Sequence, residues 1–171
     1  MKNTMKILAI AIVVLGFSTS MFAQVTASAT GTATIVTPIA IASTVNMNFG
    51  NVAVSTSAGT VILAPAGTRT STGGITLPAT GGTITAASFN ITGEGSYTYS
   101  ITLPSSAYTI TRTGFSETMT INTFTSSPSG TGALSSGAQT LTVGGTLNVG
   151  GSQVAGAYTN ATGFDVTVNY N

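Results

Sequence analysis

The side chains able to do acid–base chemistry are few. Glu94, Glu117 and Asp165 are the only carboxylates, and the sequence contains no histidine and no cysteine. Ser-His-Asp and Cys-His nucleophilic sites therefore cannot be assembled, nor can zinc sites built on His or Cys. Two carboxylates could serve as the acid and base of a glycosidase, but there is no tryptophan to stack on a sugar, and the other aromatics fall on alternating positions that read as core. Calcium needs several clustered oxygen ligands, and a single Asp does not supply them. The pattern also separates the three acids: Glu94 sits in the turn Gly93-Glu94-Gly95, Glu117 at the start of a strand, and Asp165 on the outward side of the last strand. The expectation is a non-enzymatic protein with no catalytic residue, no cofactor and no metal.

Other motifs are read as structure. Leu77-Pro78-Ala79-Thr80-Gly81 matches a cell-wall sorting signal but lacks the apolar tail and basic end that should follow, and reads as a turn in which Pro fixes φ and Gly81-Gly82 permit the reversal. Asn90-Ile91-Thr92 and Asn160-Ala161-Thr162 match the N-glycosylation pattern, a weak signal in so Thr-rich a chain. Thr-x-Thr at 68–72 and 109–113 resembles ice-binding arrays, yet its spacing along the chain is irregular.

These residues must be carried by strands. Apolar residues alternate with Thr or Ser over almost the whole sequence, the period of a half-buried strand. Phe89 and Ile91, the turn at 93–95, and Tyr97, Tyr99, Ile101 and Leu103 read as a hairpin. Met119, Ile121 and Phe124 precede an expected loop at 126–132. Leu141 and Val143, an interruption at Gly144-Gly145, and Leu147 and Val149 read as a strand pair or one bulged strand. Phe164, Val166, Val168 and Tyr170 are expected inward, with Asp165, Thr167 and Asn169 outward. Strands about ten residues apart, with turn signals and no helical period, predict an all-β fold of two packed antiparallel sheets, a β-sandwich.

Residues 1–23 have the form of a signal peptide: Lys2 and Lys6, an apolar run from Ile7 to Phe17, then small residues to Ala23. Cleavage before Gln24 would leave one domain able to bury a core without disulfides. The remaining charges, two arginines against three carboxylates, give a net of −1, so attraction to nucleic acid is not expected, nor is membrane insertion of the mature chain. A surface of Thr, Ser, Asn and Gly without lysine loses little side-chain entropy on packing against a neighbour.

The segment 24–35 stands out. Val25, Ala27, Ala29, Gly31, Ala33 and Ile35 fall on one face and hydroxyls on the other, without a charge or a proline. Proteins normally protect such an edge. Either this strand pairs within its own domain, or it is given to another copy by strand addition.

The runs Ala33-Thr34-Ile35-Val36-Thr37-Pro38-Ile39-Ala40-Ile41, Met47-Asn48-Phe49-Gly50, Gly59-Thr60-Val61-Ile62-Leu63, 87–93 and Gly156-Ala157-Tyr158 with 164–170 resemble a family of secreted bacterial proteins known as a domain of unknown function. That family is in turn distantly similar to the spore-coat-U-type subunits of archaic chaperone–usher pili, from which this chain differs in having no cysteine. The resemblance implies an immunoglobulin-like, pilin-like sandwich at 36–171. Its groove would be filled by the N-terminal strand of the next subunit, with 24–35 as candidate donor strand and Gly31 at a tight pocket. The implied partners are identical or related subunits and a periplasmic chaperone. The expected function is a structural subunit of a bacterial surface fibre, pilus-like filament or extracellular matrix, exported to the periplasm, cell surface or exterior. The alternative is a monomeric secreted or surface binding module for a glycan or protein, with contact loops at 126–132 and 68–74.

Overall fold

Alternating Thr and apolar residues give the described part of this chain its strands. The structure, a computed structural model, describes residues 23–171, and among these no helix forms. The strands are β1 (Ala40–Val45), β2 (Ala53–Leu63), β3 (Arg69–Thr76), β4 (Ala87–Thr92), β5 (Thr98–Thr102), β6 (Tyr108–Arg112), β7 (Thr118–Ser127), β8 (Thr131–Ala133), β9 (Ala138–Val149), β10 (Tyr158–Thr159) and β11 (Thr167–Tyr170). The expected signal segment lies outside the described residues except for Ala23. A division between compact units falls after Thr34.

Every strand pairing is antiparallel. The smaller sheet runs β11-β5-β8, and the larger runs β1-β4-β9-β7-β6-β10 with β2 and β3 branching from β9. The branch has a local cause. On one edge of β9, residues 138–143 pair with β4 and residues 145–149 pair with β2. The neighbour therefore changes at Gly144-Gly145. A Cβ built on Gly144 would run into the carbonyl oxygen of Leu63, so only glycine lets the end of β2 approach here. On the other edge, β7 accommodates the bend with a register shift between Asn122 and Thr125, where Thr123 adopts φ 48°. The two alternatives left open by the sequence thus resolve as one continuous β9, with the bulge on its neighbour.

Two apolar clusters follow from this bend. Ala87, Phe89, Ile91, Leu141 and Val143 of the larger sheet pack against Tyr99, Leu134 and Val168, on or beside the smaller sheet, and so close the sandwich. Val61, Leu63, Ile75, Ile110, Ile121, Leu147 and Val149 form the second cluster under Phe49. Phe164 joins them, with ring centroids 6.4 Å from Phe89, 5.7 Å from Tyr108 and 4.9 Å from Phe124. Each fully buried Leu, Ile or Val contributes roughly 1.5–3 kcal/mol relative to exposure.

The β4–β5 connection corrects the expected hairpin. These strands belong to different sheets, because both edges of β4 are taken by β1 and β9. The Gly-rich tip is stapled instead to the β8–β9 turn, through Gly93 N–H to Gly137 O and Gly137 N–H to Gly95 O, both 2.9 Å. The expected loop at 126–132 shrinks to 128–130 between β7 and β8, and most of 68–74 lies in β3. Phe164, Val166, Val168 and Tyr170 alternate inward as expected, with Asp165, Thr167 and Asn169 exposed.

Candidate functional site

The segment 24–35 forms no β-ladder among the described residues, and each of its residues is exposed. Val25 is 92% and Ile35 93% exposed. Val25, Ala27, Ala29, Gly31, Ala33 and Ile35 therefore have no sheet partner within the described chain, as donor or otherwise.

On one flank of the sandwich β1 ends one sheet and β11 ends the other. Ile39, Ile41, Val166 and Tyr170 pack on the sandwich core along this flank, yet each stays only partly buried. β1 contains no Lys, Pro or charge, so its outer row of backbone groups lacks the usual protection against further pairing.

One end of the flank is tied by three hydrogen bonds. Thr37 N–H donates to Glu94 Oε2 at 3.0 Å, the Tyr170 hydroxyl donates to Thr37 O at 2.8 Å, and Glu94 N–H donates to the Tyr170 hydroxyl oxygen at 2.6 Å. The Thr37 backbone bond, followed by the Thr37 side chain, lowers the Glu94 carboxyl below its ordinary value, because both stabilise the charged form. Gly93 is needed here, since a Cβ would strike the Tyr170 hydroxyl.

The remaining charges lie elsewhere. Arg112 Nη1 is 3.3 Å from Glu117 Oε1, and its guanidinium carbon is 3.8 Å from the centroid of Phe115. Glu117 Oε2 is buried with no hydrogen-bond partner. Arg69 donates to the carbonyls of Phe49 and Asn51, the latter at 2.8 Å, and so pins the 46–52 connection to the start of β3. Asp165 is exposed and borders an indentation of about 310 Å³ with Ser105, Ser106, Tyr108 and Phe164. Glu94 is bonded to Thr37 and Tyr170, Glu117 is paired with Arg112, and Asp165 borders the indentation beside Tyr108 and Phe164, so no named partner is common to two of the three acids. Among the described residues no three His, Cys, Asp or Glu side chains cluster to hold a metal.

The motifs fall on ordinary structure. Leu77–Gly81 lies in the β3–β4 connection, its Thr80 and Gly81 carbonyls held by the Asn51 side chain at 3.0 Å and the Asn51 N–H at 2.6 Å. Asn90 is an outward residue of β4. Asn160 fastens its loop to β6 by donating to Thr109 O at 2.8 Å.

The strands from Ala40 to Tyr170 fall within the match to one family model, Domain of unknown function (DUF4402), over residues 39–170. The chain belongs to the DUF4402 family. No curated protein and no solved structure is significantly similar to it. The DUF4402 match opens at Ile39, within the connection to β1, and closes at Tyr170, so both edge strands of this flank lie inside the family domain while residues 24–35 precede it.

Proposed function

We propose that this DUF4402 protein is a non-enzymatic structural subunit of a bacterial surface fibre, pilus-like filament or extracellular matrix, exported and assembled by β-strand addition between copies. The observation that carries the reading is the segment 24–35. It is an uncharged, alternating strand template whose residues are all exposed and have no ladder partner. Main-chain hydrogen bonds would supply affinity, and the small side chains Ala27, Ala29, Gly31 and Ala33 would set the fit. The flank between β1 and β11 of a neighbouring copy is the acceptor, because its apolar side chains are half covered and both its edges are unpaired.

The test compares the protein with a variant lacking 24–34 by sedimentation and negative-stain microscopy. Strand addition predicts SDS-resistant polymers for the full chain. The shortened variant is expected to stay monomeric and to bind a synthetic 24–35 peptide. Two stable monomers with the same melting temperature would instead favour a monomeric binding module.

A further inference from the structure

The Thr-x-Thr runs are irregular along the sequence, but sheet pairing sets Thr and Asn side chains of four strands in register, with Ile62 among them. Thr72, Thr60, Asn148 and Thr120 are direct cross-strand partners on β3, β2, β9 and β7. Two residues along the same strands, Thr70, Ile62, Thr146 and Asn122 form a second row. Directly paired residues point to the same face, and the intervening Val61, Leu147 and Ile121 are buried in the core, so both rows face outward. The result is a grid of two rows by four columns, about 4.8 Å between columns and about 6.7 Å between rows.

The grid is also ordered. Thr60 Oγ1 and Thr72 Oγ1 are 2.7 Å apart, and Asn148 Nδ2 donates to Thr120 O at 3.2 Å and Thr120 Oγ1 at 3.4 Å. These bonds hold the side chains of the first row in place before any ligand arrives. Because the grid is only two rows tall, a twist of about 20–25° per strand lifts its corners by only about 2 Å.

Its chemistry excludes most partners. No residue of the grid is charged, so neither phosphates nor cations are attracted. None is aromatic, so no sugar ring can stack. Ile62 is its one large apolar side chain, 44% exposed, too little for an apolar docking patch. What remains is a fixed two-dimensional spacing of small hydroxyl, amide and methyl groups, which suits ordered water.

We propose that this face binds ice, its hydroxyls and amides anchoring a water layer that continues into the crystal. The proposal is independent of the fibre reading, since the grid lies on β3, β2, β9 and β7 and strand addition uses β1 and β11.

The test is partition of the purified protein into slowly growing ice, together with thermal hysteresis and ice recrystallisation. The unaltered protein is expected to enrich in the ice fraction and to hold small crystals small. Thr60→Lys and Thr146→Lys should each abolish both effects by placing a long hydrated cation in the grid. Thr140→Lys, on the outward side of β9 beyond the bend, should leave both intact. Melting curves confirm folding, and Thr70→Lys on β3 replaces any central variant that unfolds. Exclusion of the unaltered protein from ice would overturn the proposal, as would unchanged partition of the grid variants. If the grid variants only convert oligomers to monomers in sedimentation, the face is a contact between copies and not an ice surface.

Discussion

Tyr99 is the largest side chain removed completely from solvent, and burial raises its hydroxyl above the ordinary tyrosine value. The hydroxyl donates to Gln139 Oε1 at 2.6 Å, and the same oxygen accepts Ala133 N–H at 3.0 Å. This small network decides the order of three substitutions. Tyr99→Phe should cost about 1 kcal/mol, the net worth of one hydrogen bond, because Gln139 keeps its other partner. Gln139→Ala should cost more, about 1–3 kcal/mol, because it strands the hydroxyl of the fully buried Tyr99. Tyr99→Ala should cost the most, about 3–5 kcal/mol. Urea denaturation of the three variants checks the order, and a Tyr99→Phe loss larger than that of Gln139→Ala would contradict the network. Alternation alone places Tyr99 inward. It says the same of Tyr97, which is 46% exposed beside Tyr170 at 5.5 Å, because Tyr97 belongs to the connection that crosses between sheets and the strand period has not yet begun.

At the scale of elements, the Gly144-Gly145 bend matters most, since it lets one strand serve β4 and then β2. Gly144→Ala should destabilise the fold by about 1–3 kcal/mol through the clash with the Leu63 carbonyl, with the loss read by chemical denaturation. A stability equal to the unaltered protein would mean that β2 does not pack against the bend. Periodicity predicts strands through 89–91, 97–103, 119–124 and 164–170 because local alternation fixes which face is buried. It does not predict the partner of each strand. The hairpin expected at 89–103 rests on a Gly-rich turn, a local signal, whereas the actual pairing of β4 is decided by residues 138–143 far along the chain. The same limit hides the hydroxyl grid, whose rows exist only after four distant segments are set in register. It also hides the flank between β1 and β11, the first and last strands, although the donor-like pattern at 24–35 is legible residue by residue.

For the whole molecule, scarcity of charge shapes the response to pH. There is no histidine to titrate near neutrality. Glu94 has a folded value below its ordinary 4.5, caused first by the Thr37 backbone bond. Its contribution is therefore complete above the ordinary carboxylate range and is lost as pH falls through the depressed folded value. Burial raises Tyr99 and Tyr108 above their ordinary 10.0. Their contribution is complete below the ordinary tyrosine range and is lost as pH rises toward the raised folded values. The melting temperature should accordingly be flat from about pH 5 to about pH 9 and fall on both sides. Glu94→Gln removes the titrating group while leaving an oxygen to accept Thr37 N–H, so it should flatten the acid limb and leave the alkaline limb unchanged. Calorimetry across this range reads both limbs, and an acid limb as steep in Glu94→Gln as in the unaltered protein would show that the tie at Thr37 does not govern acid stability.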